Sequence, residues 1–164
     1  MVSCVFPGSF DPVTKGHMDV IRRASAMFDH VTVIVMLNIH KSGLFPVQQR
    51  IAFLRKACSS LDNVSVESWE GLLADYMCEK QEKIILRGVR SGTELDSELQ
   101  SACANHLLNN QTETVFIHSD PCLTGVSSSA VREIAAFGGN IRPFVPETIA
   151  KEIADFVSKQ KEQE

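Results

Sequence analysis

The sequence is short of the features that mark several whole classes of protein. Its five cysteines, Cys4, Cys58, Cys78, Cys103 and Cys122, are odd in number, scattered and never arranged as C-x-x-C. That excludes a disulfide framework and the usual zinc spacing, and most of them read as packing residues. His30, His40, His106 and His118 show no metal-ligand spacing with one another, so no protein-held metal is expected. Basic charge is not in surplus either: 16 Lys and Arg stand against 20 Asp and Glu, a formal net charge of −4. Nucleic-acid binding over a broad surface is therefore not expected, while a local basic pocket for a phosphorylated small molecule stays compatible. No apolar stretch reaches the ~20 residues of a membrane span, and the N-terminal apolar run lacks the length and basic flank of a signal peptide. The expectation is a cytoplasmic protein with no membrane partner. Linkers, repeats and low-complexity blocks are lacking too, so residues 1–164 read as one domain with a frayed tail at 159–164.

What is present is an alternation of short β-rich runs with helix-period segments, the pattern of an α/β protein with a parallel sheet. Strands are expected at residues 2–6, 31–37, 64–67, 84–86 and 114–117; the first two are continuous apolar runs, as in strands buried on both faces. Helical spacing follows the first turn in Ile21, Ala24, Ser25 and Phe28, and follows Pro46 in Ile51, Leu54, Cys58 and Leu61. Pro46 suits a first helical turn. Further helices are expected over residues 72–79, 93–108 and 127–137, the last stopped by Gly138-Gly139. A C-terminal helix after Pro146 carries the stripe Ile149, Ile153, Phe156 and Val157. The fold class is a single Rossmann-like α/β domain: a five-stranded parallel sheet, flanking helices and a C-terminal helix.

The most informative segment is the turn after the first strand, Pro7-Gly8-Ser9-Phe10-Asp11-Pro12-Val13-Thr14-Lys15-Gly16-His17. Strand-to-helix turns of this kind hold phosphates. Glycines admit close backbone approach, and Ser9, Thr14, Lys15 and His17 supply donors. Arg87-Gly88-Val89-Arg90 directly follows the fourth strand candidate and offers two planar guanidiniums suited to phosphate oxygens. Surface pairs to Glu94 or Asp96 are the plainer alternative. Gly125-Val126-Ser127-Ser128-Ser129 places hydroxyls and backbone N–H groups at a helix start, an anion site for which one serine suffices as a cap. Arg132, one turn on, suits a phosphate or a surface ion pair. Lys41 lies in the loop after the second strand, within reach of a phosphate. Trp69 reads as a core or an interface anchor. From these residues alone, a nucleotide-sensing module without turnover and a flavodoxin-like electron carrier both stay open.

Gly8-Ser9-Phe10-Asp11-Pro12 with Thr14-x-Gly16-His17 resembles the first signature of the (H/T)-x-G-H nucleotidyltransferase superfamily, and Val126-Ser127-Ser128-Ser129 resembles its second. With Lys41, Arg87-Gly88-Val89-Arg90, the acidic stretch to Glu98 and the chain length, the sequence resembles the bacterial phosphopantetheine adenylyltransferase family over nearly its whole length. The threonine form of the first motif and the Arg-Gly-Val-Arg element separate it from the nicotinate-mononucleotide and glycerol-phosphate branches, which are the close alternatives.

The resemblance implies transfer of AMP from ATP to 4′-phosphopantetheine without a covalent intermediate, giving dephospho-coenzyme A and pyrophosphate. It implies catalytic roles for His17, Lys41, Arg90 and Ser128. ATP contacts fall to Ser9, Phe10, His17, Gly88, Val89, Arg90, Glu98, Leu123, Thr124, Gly125, Val126, Ser127, Ser128 and Ser129. Acceptor contacts fall to Ser9, Lys41, Leu73, Ala74 and Arg87. It further implies Mg²⁺ bridging triphosphate oxygens, a homohexamer, and feedback inhibition by coenzyme A. Several positions depart from the family pattern. Phe6 stands for a common tyrosine and Ser9 for a common threonine, while Leu123-Thr124-Gly125 and the stretch 94–98 lack the usual aromatics. Adenine-side packing is expected to differ.

Overall fold

In a computed structural model of the chain, which describes residues 1–37 and 43–161, five parallel strands form one sheet in the order β3-β2-β1-β4-β5. The elements run β1 (Ser3–Gly8), α1 (Lys15–Met27), β2 (His30–Leu37), α2 (Val47–Ala57), β3 (Val64–Glu70), α3 (Leu73–Lys80), β4 (Ile84–Val89), α4 (Gly92–Leu108) and β5 (Glu113–His118). A single 3₁₀ turn (Pro121–Leu123) then leads to α5 (Ser128–Ala136) and α6 (Glu147–Lys161).

The central strands are apolar over most of their length because alternate side chains enter different cores. Cys4 and Phe6 of β1 and Val31, Val33 and Val35 of β2 pack with α1, α2, α5 and α6, through Met18, Ile21, Phe53, Leu54, Val131, Ile149 and Ile153. The intervening Val5, Ile34 and Ile85 point the other way, onto Tyr76 and Met77 of α3. Trp69 joins that smaller core, edge-on to Tyr76 at 5.3 Å, with its indole N–H donating to Leu72 O. α4 is a different case: capped by Ser91 and lying beside β4, β5 and α3, it buries none of its residues.

Several expectations are corrected. Arg87, Gly88 and Val89 are not a loop after β4 but its last residues, because their backbone continues the ladder with Phe116, Ile117 and His118. β3 likewise extends to Glu70, paired with Leu37. Gly16 and His17 already belong to α1, whose N-cap is Thr14, and Pro46 is the N-cap of α2 rather than part of its first turn. α5 ends at Ala136, one residue before Phe137, where Gly138 takes φ 73° and its N–H closes on Ala135 O. α6 runs on to Lys161. Of the cysteines, Cys4 and Cys58 are packing residues, whereas Cys78, Cys103 and Cys122 are exposed. Among the described residues no helix is long and apolar enough to cross a membrane.

Candidate active site

The strand order reverses between β1 and β4, and an open parallel sheet binds its ligands in the crevice beyond the C-terminal ends of two such strands. Two clefts lie there. The first, about 320 Å³, runs between the turn at Gly8, Ser9 and Phe10, His17 of α1, Arg87 and Arg90, and the start of α5 at Ser127, Ser128 and Ser129. The second, about 310 Å³, runs from the same turn out over Met36, Leu73 and Ala102. They meet at Pro7, Gly8, Ser9, Arg87 and Glu98, which line both.

His17 is fixed by the helix cap. Thr14 is extended, its hydroxyl accepts from His17 N at 3.3 Å, and its own backbone N–H donates to His17 Nδ1 at 3.1 Å, so an imidazole takes the place that glutamate fills in the common capping box. A backbone N–H only donates, so Nδ1 is the acceptor and the neutral ring carries its proton on Nε2. Burial first, then the positive charges of Arg90 and Arg87, push the His17 pKa down to about 4, with Glu94 opposing. At neutral pH the cleft therefore holds an uncharged N–H donor, steadied by the edge of Phe10 at 5.0 Å.

The opposite wall carries the arginines. Arg87 grips Glu98 through Nε (2.7 Å) and Nη2 (2.6 Å) and donates Nη1 to Pro7 O at 2.7 Å, which ties β4 to the end of β1. Arg90 pairs with Glu94 one turn into α4, Nη2 to Oε1 at 2.6 Å, while its backbone N–H donates to Oε2 at 2.7 Å. The side-chain hydrogen bond between them holds the Glu94 carboxyl below its usual range and raises Arg90. Gly88 owes its lack of a side chain to packing: a Cβ there would lie 2.9 Å from Val20 of α1.

At the third wall each serine hydroxyl has a partner within the chain. Ser127 accepts from Ala130 N as the cap, Ser128 donates to Pro12 O at 2.7 Å, and Ser129 accepts from Arg132 Nη2 at 3.1 Å. The expectation that packing needs one serine alone is thus overturned. What the helix start offers an anion is its first-turn N–H groups, for which a helix has no carbonyl of its own. Beneath the turn lies a cluster that the sequence pattern does not reveal, the buried Asp11 and Arg50 with the partly exposed Arg132 against them. Its one local signal was a charged residue, Arg50, beside the apolar stripe of α2. Among the described residues no three His, Cys, Asp or Glu side chains gather as metal ligands. The cleft's own carboxylates, Glu94 and Glu98, are engaged by arginine, so this donor set does not build a protein-only Mg²⁺ cage.

Residues 5–134 match the cytidylyltransferase-like family model. The chain is 42% identical over 154 residues to a phosphopantetheine adenylyltransferase of Clostridium perfringens, covering 94% of each chain, and 43% identical over 155 residues to one of Clostridium novyi, covering 94% of this chain and 96% of that one. The chain belongs to the phosphopantetheine adenylyltransferase family. A third member, from Clostridium botulinum, is 39% identical over 99% of both chains. Among solved structures, a putative nicotinate-nucleotide adenylyltransferase from Vibrio parahaemolyticus superposes with a TM-score of 0.68, covering 96% of this chain and 95% of that one at 15% identity, a likeness of fold alone.

Set against what membership of this family led the sequence to expect, the first cleft brings together Ser9, Phe10, His17, Gly88, Arg90, Glu98, Val126, Ser127, Ser128 and Ser129, and Leu73 lines the second. Val89 is buried in β4, and Ala74 is buried on α3 behind Leu73. Leu123, Thr124 and Gly125 are not among the residues that line the first cleft: Leu123 borders a separate hollow beside α1, and Thr124 Oγ1 is spent on Pro121 O. Lys41, with His40, lies outside the described residues.

Proposed function

We propose that the chain transfers the adenylyl group of ATP to the phosphate of 4′-phosphopantetheine, releasing pyrophosphate and forming dephospho-coenzyme A, a step of coenzyme A biosynthesis. The observation that carries this reading is the meeting of two clefts at Ser9 and Arg87, where one phosphorylated ligand in each would converge. The acceptor phosphate is already an anionic nucleophile near neutral pH, so the chain needs no covalent nucleophile. Its oxygen attacks the α-phosphorus, the bond from that phosphorus to the bridging oxygen breaks, and pyrophosphate leaves with the electron pair.

The protein's part is alignment and charge stabilisation. His17 Nε2–H donates to an α-phosphate oxygen as charge builds there. Arg90 and the first-turn N–H groups of Ser128 and Ser129 receive the departing phosphates, with Phe10, Gly88, Val126 and Ser127 shaping that side. Arg87, Ser9 and Lys41 hold the acceptor phosphate, and Leu73 flanks the pantetheine arm. Mg²⁺ bound with the nucleotide would offset the charge of its phosphates, and with Glu94 and Glu98 paired to arginine the chain would add few ligands of its own. The reading carries with it a cytoplasmic location, coenzyme A as inhibitor and a homohexamer. The last is supported by the apolar side chains that α4 and β5 leave exposed, Leu99, Leu107, Leu108 and Val115.

The test is pyrophosphate release with ATP or CTP against phosphopantetheine, nicotinate mononucleotide and glycerol phosphate. Release with ATP and phosphopantetheine alone is expected. Release with another pair, or none with any pair, overturns the assignment.

A further inference from the structure

The floor of the first turn holds a carboxylate for which the transfer chemistry has no direct use. Asp11 is 6% exposed, yet its oxygens face four donors. The backbone N–H of Leu44 donates to Oδ2 and that of Phe45 to Oδ1, both at 2.9 Å. Arg50 Nε lies 3.3 Å from Oδ1, and Arg132 Nη1 lies 3.7 Å from Oδ2. The two arginines also hold carbonyls of the turn itself: Arg50 Nη1 donates to Ser9 O at 3.4 Å, and Arg132 Nη1 donates to Asp11 O at 2.6 Å. Arg50, 8% exposed, is anchored in turn by Nε to Phe45 O at 2.6 Å. Space around it is full, since a Cβ on Gly43 would fall 1.7 Å from Arg50 Nη2 and 3.0 Å from Asp11 Oδ2.

Three stretches remote in sequence, residues 9–12, 43–50 and 132, are therefore joined through one buried negative charge. Such a carboxylate has one arrangement in which every donor is met, and a buried charge that loses a partner is costly. The turn it supports needs support: Phe10 sits at φ 46°, a conformation that a residue with a side chain rarely adopts.

We infer that Asp11 is a positioning residue for phosphoryl alignment: acting through Arg50 and Arg132, it sets the backbone that presents Ser9, Phe10 and His17 to the reacting phosphates, and it touches neither substrate. The inference rests on the adenylyl-transfer reading above. Asparagine keeps the shape of Asp11 but turns an NH₂ toward one of the two backbone N–H groups and leaves both arginines without a counter-charge. Gly43→Ala disturbs the same joint differently, pushing the Arg50 guanidinium aside while removing no group.

The experiment measures kcat, both KM values and direct ATP binding by calorimetry for D11N, G43A, R50K and R50Q, with thermal melts to show each protein folded at the assay temperature. D11N is expected to lose roughly 10²-fold in kcat, the scale of a misplacement of about 1 Å at the reacting atoms, and G43A roughly 10-fold, each with ATP affinity within about threefold of wild type. R50K is expected to retain more kcat than R50Q, because it keeps the charge at that site. A folded D11N with wild-type kcat overturns the inference, as does a loss of ATP affinity in step with kcat, which would make Asp11 part of the binding pocket. Should D11N not fold, G43A at wild-type kcat overturns it equally. An inactive wild-type protein in the same assay is a failure of the transfer reading itself and is seen separately from any of these.

Discussion

The wall of the cleft built from the first turn and α5 is tied by backbone donors, a helix cap and a buried carboxylate, whereas the wall built from β4 and α4 rests on two partly exposed arginine–glutamate pairs. On the first wall the geometry stands before any ligand arrives: the His17 tautomer is set by Thr14, and the carbonyls of Ser9 and Asp11 are held by arginines. On the second, the charges a phosphate would use are already satisfied by Glu98 and Glu94, on a helix that buries nothing. A phosphate arriving there exchanges one anionic partner for another. Ion pairs with access to water are worth little net energy, so that exchange is cheap. In the proposed reaction the first wall would align the substrates and the second would capture them.

The largest expected effect breaks the aligning wall. His17→Ala should lower kcat by roughly 10²–10³-fold, the scale of losing one oriented donor to developing charge, with an unchanged melting profile. Steady-state kinetics beside a thermal melt check it, and near-wild-type turnover of the folded variant removes His17 from the mechanism. Next comes capture: Arg87→Ala should raise the KM for phosphopantetheine by roughly 10- to 10²-fold, as expected for a charged hydrogen-bonding partner, while leaving the KM for ATP nearly unchanged. Equal weakening of both substrates would mean that the two clefts do not divide them.

Smaller, and opposite in sign, is Glu98→Gln. With the competing carboxylate neutralised, the acceptor should bind about two- to fivefold more tightly at low salt, an advantage that fades as salt rises. Calorimetric titration of phosphopantetheine reads this directly, and weaker binding would show that Glu98 orients Arg87 instead of competing for it.

The smallest effect concerns stability. The fold lowers the His17 pKa from its ordinary 6.5 to about 4. Above pH 6.5 the folded and unfolded chains are both neutral at this site. As pH falls from 6.5 toward 4, the unfolded chain takes up a proton that the fold refuses, so stability declines across that window and the decline levels off below it. His17→Asn lacks this cost, and its Tm should fall less between pH 7 and pH 4.5 than that of wild type, by a few degrees. Parallel curves for the two proteins would mean that His17 titrates alike in both states.

Much of this architecture was legible locally. The apolar runs of β1 and β2 and the helical stripe of α6 name their own burial, and the glycines and donors of the first turn mark the loop at which the two clefts meet. β4 was cut short because Arg87 and Gly88 end its apolar run, although the backbone ladder to β5 continues beneath them. At the serine-rich start of α5 the sequence shows one capping serine and leaves two hydroxyls over, because their partners, Pro12 O and Arg132, come from a tertiary contact and a side chain three residues on. The Asp11 joint left least trace: Asp11-Pro12 looks like an ordinary turn, and nothing local to Arg50 or Phe45 shows that they close on it from over thirty residues away.

If the first wall is finished in the free protein, His17 is uncharged there with its proton on Nε2. The most direct test is a ¹⁵N NMR pH titration of the His17 imidazole in the ligand-free protein. A protonated Nε2, an unprotonated Nδ1 and a midpoint near pH 4 are expected. A midpoint at or above the ordinary value of 6.5, or a proton on Nδ1 at neutral pH, contradicts it.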